Sequence, residues 1–191
     1  DDEMADPKVR LTRERTVDAG RMAERITVAS ARDVEVSFTL TLTLEPDFAP
    51  MQEVKAGTAG AQEWEGDGAT ARAGSASLRV TATDATPHRD GERIVLRWEL
   101  TVPPRGRVEA AWAVCLDDPT LVVQQASGPW HPNALATDDP RARRWLTRAL
   151  DDLDALRLAL PDSPDDEFFA AGAPWFLTLF GRDSLIAARF L

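Results

Sequence analysis

The sequence has no tyrosine, two lysines and a single cysteine, Cys115, among its 191 residues. One cysteine excludes an internal disulfide framework and a thiolate metal cluster. The apolar runs are well short of the roughly 20 residues that a membrane-spanning helix needs. The first residues are acidic and include no apolar run, so we expect no signal peptide and a cytoplasmic location.

Acidic residues outnumber basic ones, with 32 Asp and Glu against 22 Lys and Arg and a formal net charge of -10. A surface this acidic repels phosphate backbones and anionic lipid headgroups. The fraction of hydrophobic residues, 43%, is ordinary for a folded soluble chain. We therefore expect a folded protein that binds neither nucleic acid nor membranes.

Alternation of apolar and polar residues predicts strands in the first two thirds of the chain. The clearest strand runs from Val34 to Leu44, where apolar residues alternate with Glu, Ser and Thr. Asp18-Ala19-Gly20 lies between two further extended runs, which favours a hairpin. Weaker or similar alternation occurs at Leu78–Ala82, Ile94–Val102 and Val108–Leu116. Together these patterns predict an antiparallel β-sandwich over residues 1–126, with Trp98 and Trp112 in its core.

Three segments break this pattern. Residues 57–74 are rich in Gly, Ala and Glu and predict a mobile surface loop with a short strand around Trp64. Residues 127–138 contain several prolines and predict a linker between domains. An apolar stripe at helical spacing then predicts a helix over about residues 139–159, with Pro140 in its first turn.

The remaining segment completes the predicted domain organisation. An acidic loop is expected over residues 162–167, and a second helix is expected to start near Arg182 or Asp183. The chain is therefore predicted to be mainly β, with a sandwich over 1–126, a linker over 127–138 and a helical segment over 139–191.

Residues 168–191 read FFAAGAPWFLTLFGRDSLIAARFL and combine aromatic side chains and glycines with an adjacent Arg and Asp. Pyranose rings pack their C–H faces on aromatic rings, while their hydroxyls bond to carboxylates and guanidinium groups. Arg182 and Asp183 are therefore candidate substrate-binding residues. From composition alone, a surface ion pair beside an aromatic core is the favoured interpretation.

AAGAPWFLTLFGRDSLIAARF resembles the signature A-G-x-P-W-F-x-x-x-F-G-R-D-x-x-I of the glycogen-debranching, amylo-α-1,6-glucosidase-like family. RERTVDAGRMAERITVAS and EVSFTLTLTLEPDFAPMQEVKAG resemble the N-terminal β-sandwich of that family, and DLDALR resembles its D-L-x-x-L-R helix. The resemblance implies a β-sandwich followed by α-helices that begin an (α/α)6 barrel of the glucoamylase type. It also implies that Arg182 and Asp183 grip the hydroxyls of a terminal glucosyl unit, with Trp175 and Phe180 as wall or supporting residues.

Inverting glycoside hydrolysis needs two carboxyl groups roughly 6.5–9.5 Å apart. The resemblance assigns both to later parts of the barrel, so we expect no catalytic residue, metal or cofactor here and no hydrolysis by this chain alone. The resulting prediction is the N-terminal portion of an inverting glycoside hydrolase acting on α-glucans, packed on its barrel domain or on a neighbouring chain. The alternative is a non-catalytic carbohydrate-binding or structural sandwich, which exposed tryptophans on the sandwich would favour.

Overall fold

The computed structural model describes residues 7–60, 62–132, 136–173 and 176–190. It divides into two compact units, Asp1–Thr120 and Leu121–Leu191. No helix in the described ranges is long and apolar enough to cross a membrane. The fold is mainly antiparallel β, as predicted. The limits of the predicted sandwich, linker and helical segment stay predictions.

The first unit is built almost entirely of strands. In chain order its elements are β1 (Val9–Asp18), β2 (Arg21–Ser30), β3 (Val36–Leu44), α1 (Met51–Ala56), β4 (Glu65–Gly66), β5 (Thr70–Ala73), β6 (Ala76–Ala82), β7 (His88–Asp90), β8 (Arg93–Val102) and β9 (Arg107–Asp117). One sheet has the order β1-β2-β9-β6-β5-β4 and the other has the order β3-β8-β7. Neighbouring strands in both sheets are antiparallel.

The two sheets share one hydrophobic core. It includes Ile26 from β2, Leu96 and Trp98 from β8, and Trp112 from β9. Trp98 is 1% exposed and Trp112 is 5% exposed, so both predicted core tryptophans are confirmed. The β-sandwich predicted from the alternating runs is therefore present.

Strand β3 shows how alternation in the sequence becomes two faces of a sheet. Its apolar residues are half-buried and pack against the core, and its Ser and Thr residues are exposed. On the polar face, the Ser37 and Thr101 hydroxyls are 3.0 Å apart, and the Thr39 hydroxyl donates to Glu99 at 2.8 Å. The strand begins at Val36 rather than Val34, because Val34 precedes the first pair with β8.

The mobile loop predicted for residues 57–74 is wrong in part, since β4 and β5 extend the six-stranded sheet through this segment. The short strand expected around Trp64 is confirmed by β4, which starts at the next residue. Trp64 is 3% exposed and belongs to the core, with the Arg89 guanidinium 3.9 Å from its ring centroid. Strand β5 contributes mainly alanine to the core, which is too weak an apolar signal for alternation to be recognised.

A carboxylate is buried at the inner face of the six-stranded sheet. Glu24 on β2 is 3% exposed, and it accepts hydrogen bonds from the Arg13 and Arg15 guanidinium groups of β1 at 2.7–3.0 Å. The Trp112 indole N–H also donates to it at 3.2 Å. Burial raises the pKa of Glu24, but these hydrogen bonds together outweigh burial and lower it.

The second unit combines a small sheet with two helices. Its elements are β10 (Gln124–Gln125), α2 (Pro140–Asp154), β11 (Arg157–Leu160), β12 (Ser163–Phe169) and α3 (Gly181–Phe190). The sheet order is β10-β11-β12. The Asp139 carboxylate accepts from the backbone N–H of Arg141 at 2.8 Å, and Pro140 is the first helical residue, so the predicted start of α2 is confirmed.

The predicted end of α2 and the predicted loop over residues 162–167 are both wrong. The helix ends at Asp154, not near residue 159, and the predicted acidic loop over 162–167 is largely strand β12. Strands β11 and β12 pair as an antiparallel hairpin with an irregularity after Ala159. Local helical periodicity extends past Asp154, but the cross-strand pairing of β11 with β12 decides the backbone conformation there.

Candidate functional site

Arg182 and Asp183 lie in the first turn of α3, which confirms the predicted helix start. Both side chains are exposed. Neither forms a hydrogen bond or ion pair with any residue that the structure describes. The positive end of the helix dipole favours a carboxylate at the position of Asp183. The two groups are therefore open to a ligand that offers hydroxyls.

A buried hydroxyl fixes the helix turn that carries this pair. Ser184 is 5% exposed, and its Oγ donates to the Phe169 carbonyl at 2.6 Å. The same Oγ accepts from the backbone N–H of Phe180 at 3.2 Å, and the Ser184 N–H donates to the Phe180 carbonyl at 2.9 Å. The start of α3 is thus bonded to the end of β12 and to the residue just before the helix.

Gly172 lies close to two aromatic rings in the segment before α3. Ala171 and Thr178 are bridged by two backbone hydrogen bonds of 2.9 and 3.3 Å. Gly172 has a φ of +73°, a conformation that favours glycine, and a Cβ at this position would lie 2.9 Å from Phe176 and 3.0 Å from Phe180. Glycine is therefore needed here for both backbone conformation and space.

Phe180 packs against a second aromatic ring just before α3. Its ring packs edge-to-face on Phe176 with the centroids 5.7 Å apart, and Phe180 is half-buried. Phe176 itself is 62% exposed. Trp175, the other aromatic residue predicted at the site, lies outside the described residues.

A buried arginine in the second unit joins β11 to β12, to the end of α2 and to the segment around Gly128. Arg157 on β11 has a side chain that is 6% exposed and bonded in three directions. Its guanidinium donates to Asp154 at 2.8 Å, to the Gly128 carbonyl at 2.9 Å and, through Nε, to Glu167 at 3.2 Å. It also lies 5.1 Å from the centroid of the Trp130 ring. Arg157 therefore lies on a strand, in a segment where the predicted helix over residues 139–159 was expected to continue.

Glu167 is held in its ionised form by this arrangement. Hydrogen bonding to Arg157 lowers the pKa of Glu167, and the Gly128 backbone N–H, at 2.9 Å from its other oxygen, adds to the effect. A general acid needs a raised pKa so that it carries a proton near neutral pH. Glu167 is therefore suited to a structural role and not to proton donation.

A groove of about 750 Å³ lies between the segment around Trp130, the end of β12 and one face of α3. Most of its lining is apolar and aromatic, including Trp130, Phe169, Leu179 and Leu185. Arg182 and Asp183 are not among the lining residues. Trp130 packs edge-to-face on Phe169 with the ring centroids 6.1 Å apart. The structure thus places the Arg–Asp pair beside this groove on α3 and not inside it.

Sequence reasoning missed the residues that hold the site together. Ser184 gave no signal beyond a hydroxyl in the first helical turn, and its partner is a backbone carbonyl that no sequence pattern identifies. Arg157 and Glu167 have opposite charges, but only the hairpin brings them together. Within the described ranges, no group of three or more His, Cys, Asp or Glu side chains could hold a metal ion.

The comparisons with known proteins include a family of known description and a distant solved structure. The sequence profile of a family described as the N-terminal domain of some glycogen debranching enzymes matches residues 1–113. A solved structure, provisionally named a kojibiose phosphorylase from the human microbiome, is 11% identical with a TM-score of 0.37. The match covers 77% of this chain and 19% of that one, so the chain spans less than two thirds of that protein. No curated protein matches the sequence.

Proposed function

Because the chain belongs to the family of N-terminal domains found in some glycogen debranching enzymes, we propose that it acts in a glycoside hydrolase that cleaves α-glucans. In this proposal the first unit is the N-terminal sandwich, and the second unit contributes substrate-binding residues. Arg182 and Asp183 bind hydroxyls of a glucosyl unit, and Trp175 and Phe180 form or support the wall beside it.

The observation that supports this role is the combination of exposure and fixed position at the start of α3. Arg182 and Asp183 are exposed, while the neighbouring Ser184 is buried and bonded to Phe169. A binding group is most effective when its backbone is held in place before the ligand arrives. A guanidinium and a carboxylate side by side also supply the donor and the acceptor that a pair of sugar hydroxyls needs.

The catalytic acid and base are proposed to lie outside these 191 residues, in an (α/α)6 barrel of the inverting type. Glu167 is committed to Arg157 and has a lowered pKa, which does not suit a general acid. Inverting hydrolysis also needs a second carboxyl roughly 6.5–9.5 Å away, across a water molecule. The chain therefore supplies binding and not bond cleavage.

A carbohydrate-binding module without catalysis is the competing proposal. Such a module usually presents aromatic rings on an exposed surface, where they stack on sugar rings. In the first unit Trp64, Trp98 and Trp112 are 3%, 1% and 5% exposed. Their burial removes the main support for that alternative.

The test replaces Arg182 by Ala and Asp183 by Asn in the glycosidase that carries this chain, with a branched α-glucan as substrate. Loss of one hydrogen bond to a charged group costs about 1.5–3 kcal/mol, so kcat/KM should fall about 10- to 100-fold for each variant. Arg189→Ala is the matched control, because it removes an exposed arginine from the last turn of the same helix. Unchanged kinetics for Arg182→Ala and Asp183→Asn would contradict the proposal.

A further inference from the structure

Helix α2 carries an exposed basic stripe formed by Arg141, Arg144, Trp145 and Arg148. Their spacing of i, i+3, i+4 and i+7 aligns them on one side of the helix. All four side chains are exposed, and Trp145 is 75% exposed. Arg148 pairs with Asp152 at 2.9 Å, whereas Arg141 and Arg144 form no ion pair with any described residue.

The N-terminal arginines of α2 are unfavourable for the isolated helix. Four arginines, with Arg143 as the fourth, precede the first acidic residue of α2, and the first turn contains no acidic residue. A cation in the first turn of a helix is disfavoured by about 0.3–1 kcal/mol through the helix dipole, and this applies to Arg141 and Arg143. Tryptophan and arginine are also the residues most enriched at the energetic centres of protein interfaces. The basic stripe is therefore best explained by a partner that covers it.

The chemistry of the stripe selects the kind of partner. Guanidinium groups only donate hydrogen bonds, so the partner must offer acceptors, and anionic acceptors suit them best. The stripe does not line any of the three main cavities in the described part of the chain, which favours a macromolecular surface over a small molecule. The net charge of -10 opposes approach of a nucleic acid. An acidic protein surface that also offers apolar contact to Trp145 fits best.

A surface of this kind occurs on the chain itself, at the turn between β11 and β12. Asp162 is exposed in this turn, Asp165 and Asp166 are exposed in the first part of β12, and Leu160 at the end of β11 is 47% exposed. We call residues 160–166 the acidic tip. It offers three carboxylates to the guanidinium groups of Arg141 and Arg144, which are unpaired within the described ranges, together with one aliphatic side chain and two prolines for the indole ring.

We propose that the basic stripe of one copy binds the acidic tip of a second copy, and that the second copy returns the same contact. Two identical contacts related by a two-fold axis close the assembly as a dimer. The stripe spans about 10 Å of helix, since seven residues rise about 1.5 Å each. A contact this short buries little surface area, and interfaces with a small buried area bind weakly. Contacts between exposed charges weaken further as salt is added.

The experiment measures the mass of the 191-residue chain by sedimentation equilibrium over a range of concentrations, at low and at high salt. We expect a monomer–dimer equilibrium at low salt that shifts towards monomer at high salt. Arg141→Glu with Arg144→Glu, and separately Asp165→Arg with Asp166→Arg, should each weaken association about tenfold or more. Trp145→Ala should weaken it as well, without loss of helix signal in circular dichroism, because alanine favours helix.

Mixing the two charge-reversed variants gives the decisive result. Each contact in the mixed pair again joins opposite charges, so the mixture should form dimers although neither variant does so alone. The control is Arg72→Glu with Arg79→Glu, which changes the net charge by the same amount as the Arg141 and Arg144 variant, at exposed positions on β5 and β6. A chain that stays monomeric at low salt, or reversed variants that fail to pair with each other, would overturn the proposal. Loss of α-glucan binding in Trp145→Ala by a monomeric chain would overturn it too and assign the stripe to glucan.

Discussion

The Ser184 hydroxyl donates a hydrogen bond of 2.6 Å to the Phe169 carbonyl, and this bond joins the first turn of α3 to the end of β12. Arg182 and Asp183 precede Ser184 directly, so their backbone position depends on this contact. A sugar-binding pair on a helix end that frays would lose its fixed geometry. The buried hydroxyl thus connects the packing of the second unit to the proposed binding role.

Replacing Ser184 by Ala should loosen the start of α3. The Phe169 carbonyl and the Phe180 N–H would each lose a partner, at a cost of about 1–3 kcal/mol for a buried group. Hydrogen exchange of the Phe180 and Ser184 backbone amides, which are hydrogen-bonded at the start of α3, should become at least about tenfold faster. Ser127→Ala, at an exposed serine in the same unit, should leave these amides unchanged. Equal protection in both variants would show that Ser184 does not hold the turn.

Replacing Glu24 by Gln should destabilise the sandwich in a pH-dependent way. The folded pKa of Glu24 lies below its ordinary value of 4.5, because hydrogen bonds from Arg13, Arg15 and Trp112 outweigh the opposing effect of burial. A carboxyl with a depressed folded pKa stabilises the fold above its unfolded pKa, and that contribution is lost as the pH falls through the folded pKa.

Urea unfolding at several pH values measures this effect. At pH 7 Glu24→Gln should lower the free energy of unfolding by about 1–3 kcal/mol, and the difference from the unmodified protein should shrink below about pH 4. Glu14→Gln, at an exposed position on β1, should show little change at any pH. A deficit for Glu24→Gln that is constant from pH 7 to pH 3 would contradict an ionised Glu24 that pairs with Arg13 and Arg15.

The close approach of Gly128 to Glu167 predicts coupling between these two positions. A Cβ at residue 128 would lie 2.3 Å from Glu167 Oε1, so Gly128→Ala must displace the carboxylate that Arg157 holds. The variant should lose about 1–3 kcal/mol of stability. In a Glu167→Ala background the same change should cost much less, since the displaced group is gone. Additive losses in the double variant would show that Gly128 acts independently of the ion pair.

The elements that could be predicted from the sequence are those whose pattern lies within a single segment. Strand β3 was predictable because its alternation is contained within a single run and the core demands one register. The start of α3 was predictable for the same reason, since the residues around Arg182 carry a local motif. Local patterns therefore sufficed wherever one element determined its own conformation.

The elements that were missed depend on partners distant in sequence. The segment after Asp154 continues a helical pattern, but Arg157 pairs with Glu167 across a hairpin, and that pairing is not visible in the periodicity. Strand β5 offers alanines that become core residues only when the sheet forms around them. Ser184 bonds to a backbone carbonyl, and because every residue has one, the sequence does not indicate which carbonyl is the partner. These misses share one physical cause, namely that tertiary pairing overrides local preference.

Gly172 provides a direct test of how the turn before α3 is packed. Its φ of +73° already disfavours alanine, and the added Cβ would press on Phe176 and Phe180 at 2.9 and 3.0 Å. Gly74 has a φ of +58° with open space around it, so Gly74→Ala carries the backbone penalty alone. Gly172→Ala should therefore lower the free energy of unfolding by about 1–3 kcal/mol more than Gly74→Ala, measured by urea titration. Gly181→Ala, at a helix start with no neighbour in reach, should be close to neutral. If Gly172→Ala cost no more than Gly74→Ala, the phenylalanine pair would be free to move away, and Phe180 would not support the helix start that carries the Arg–Asp pair.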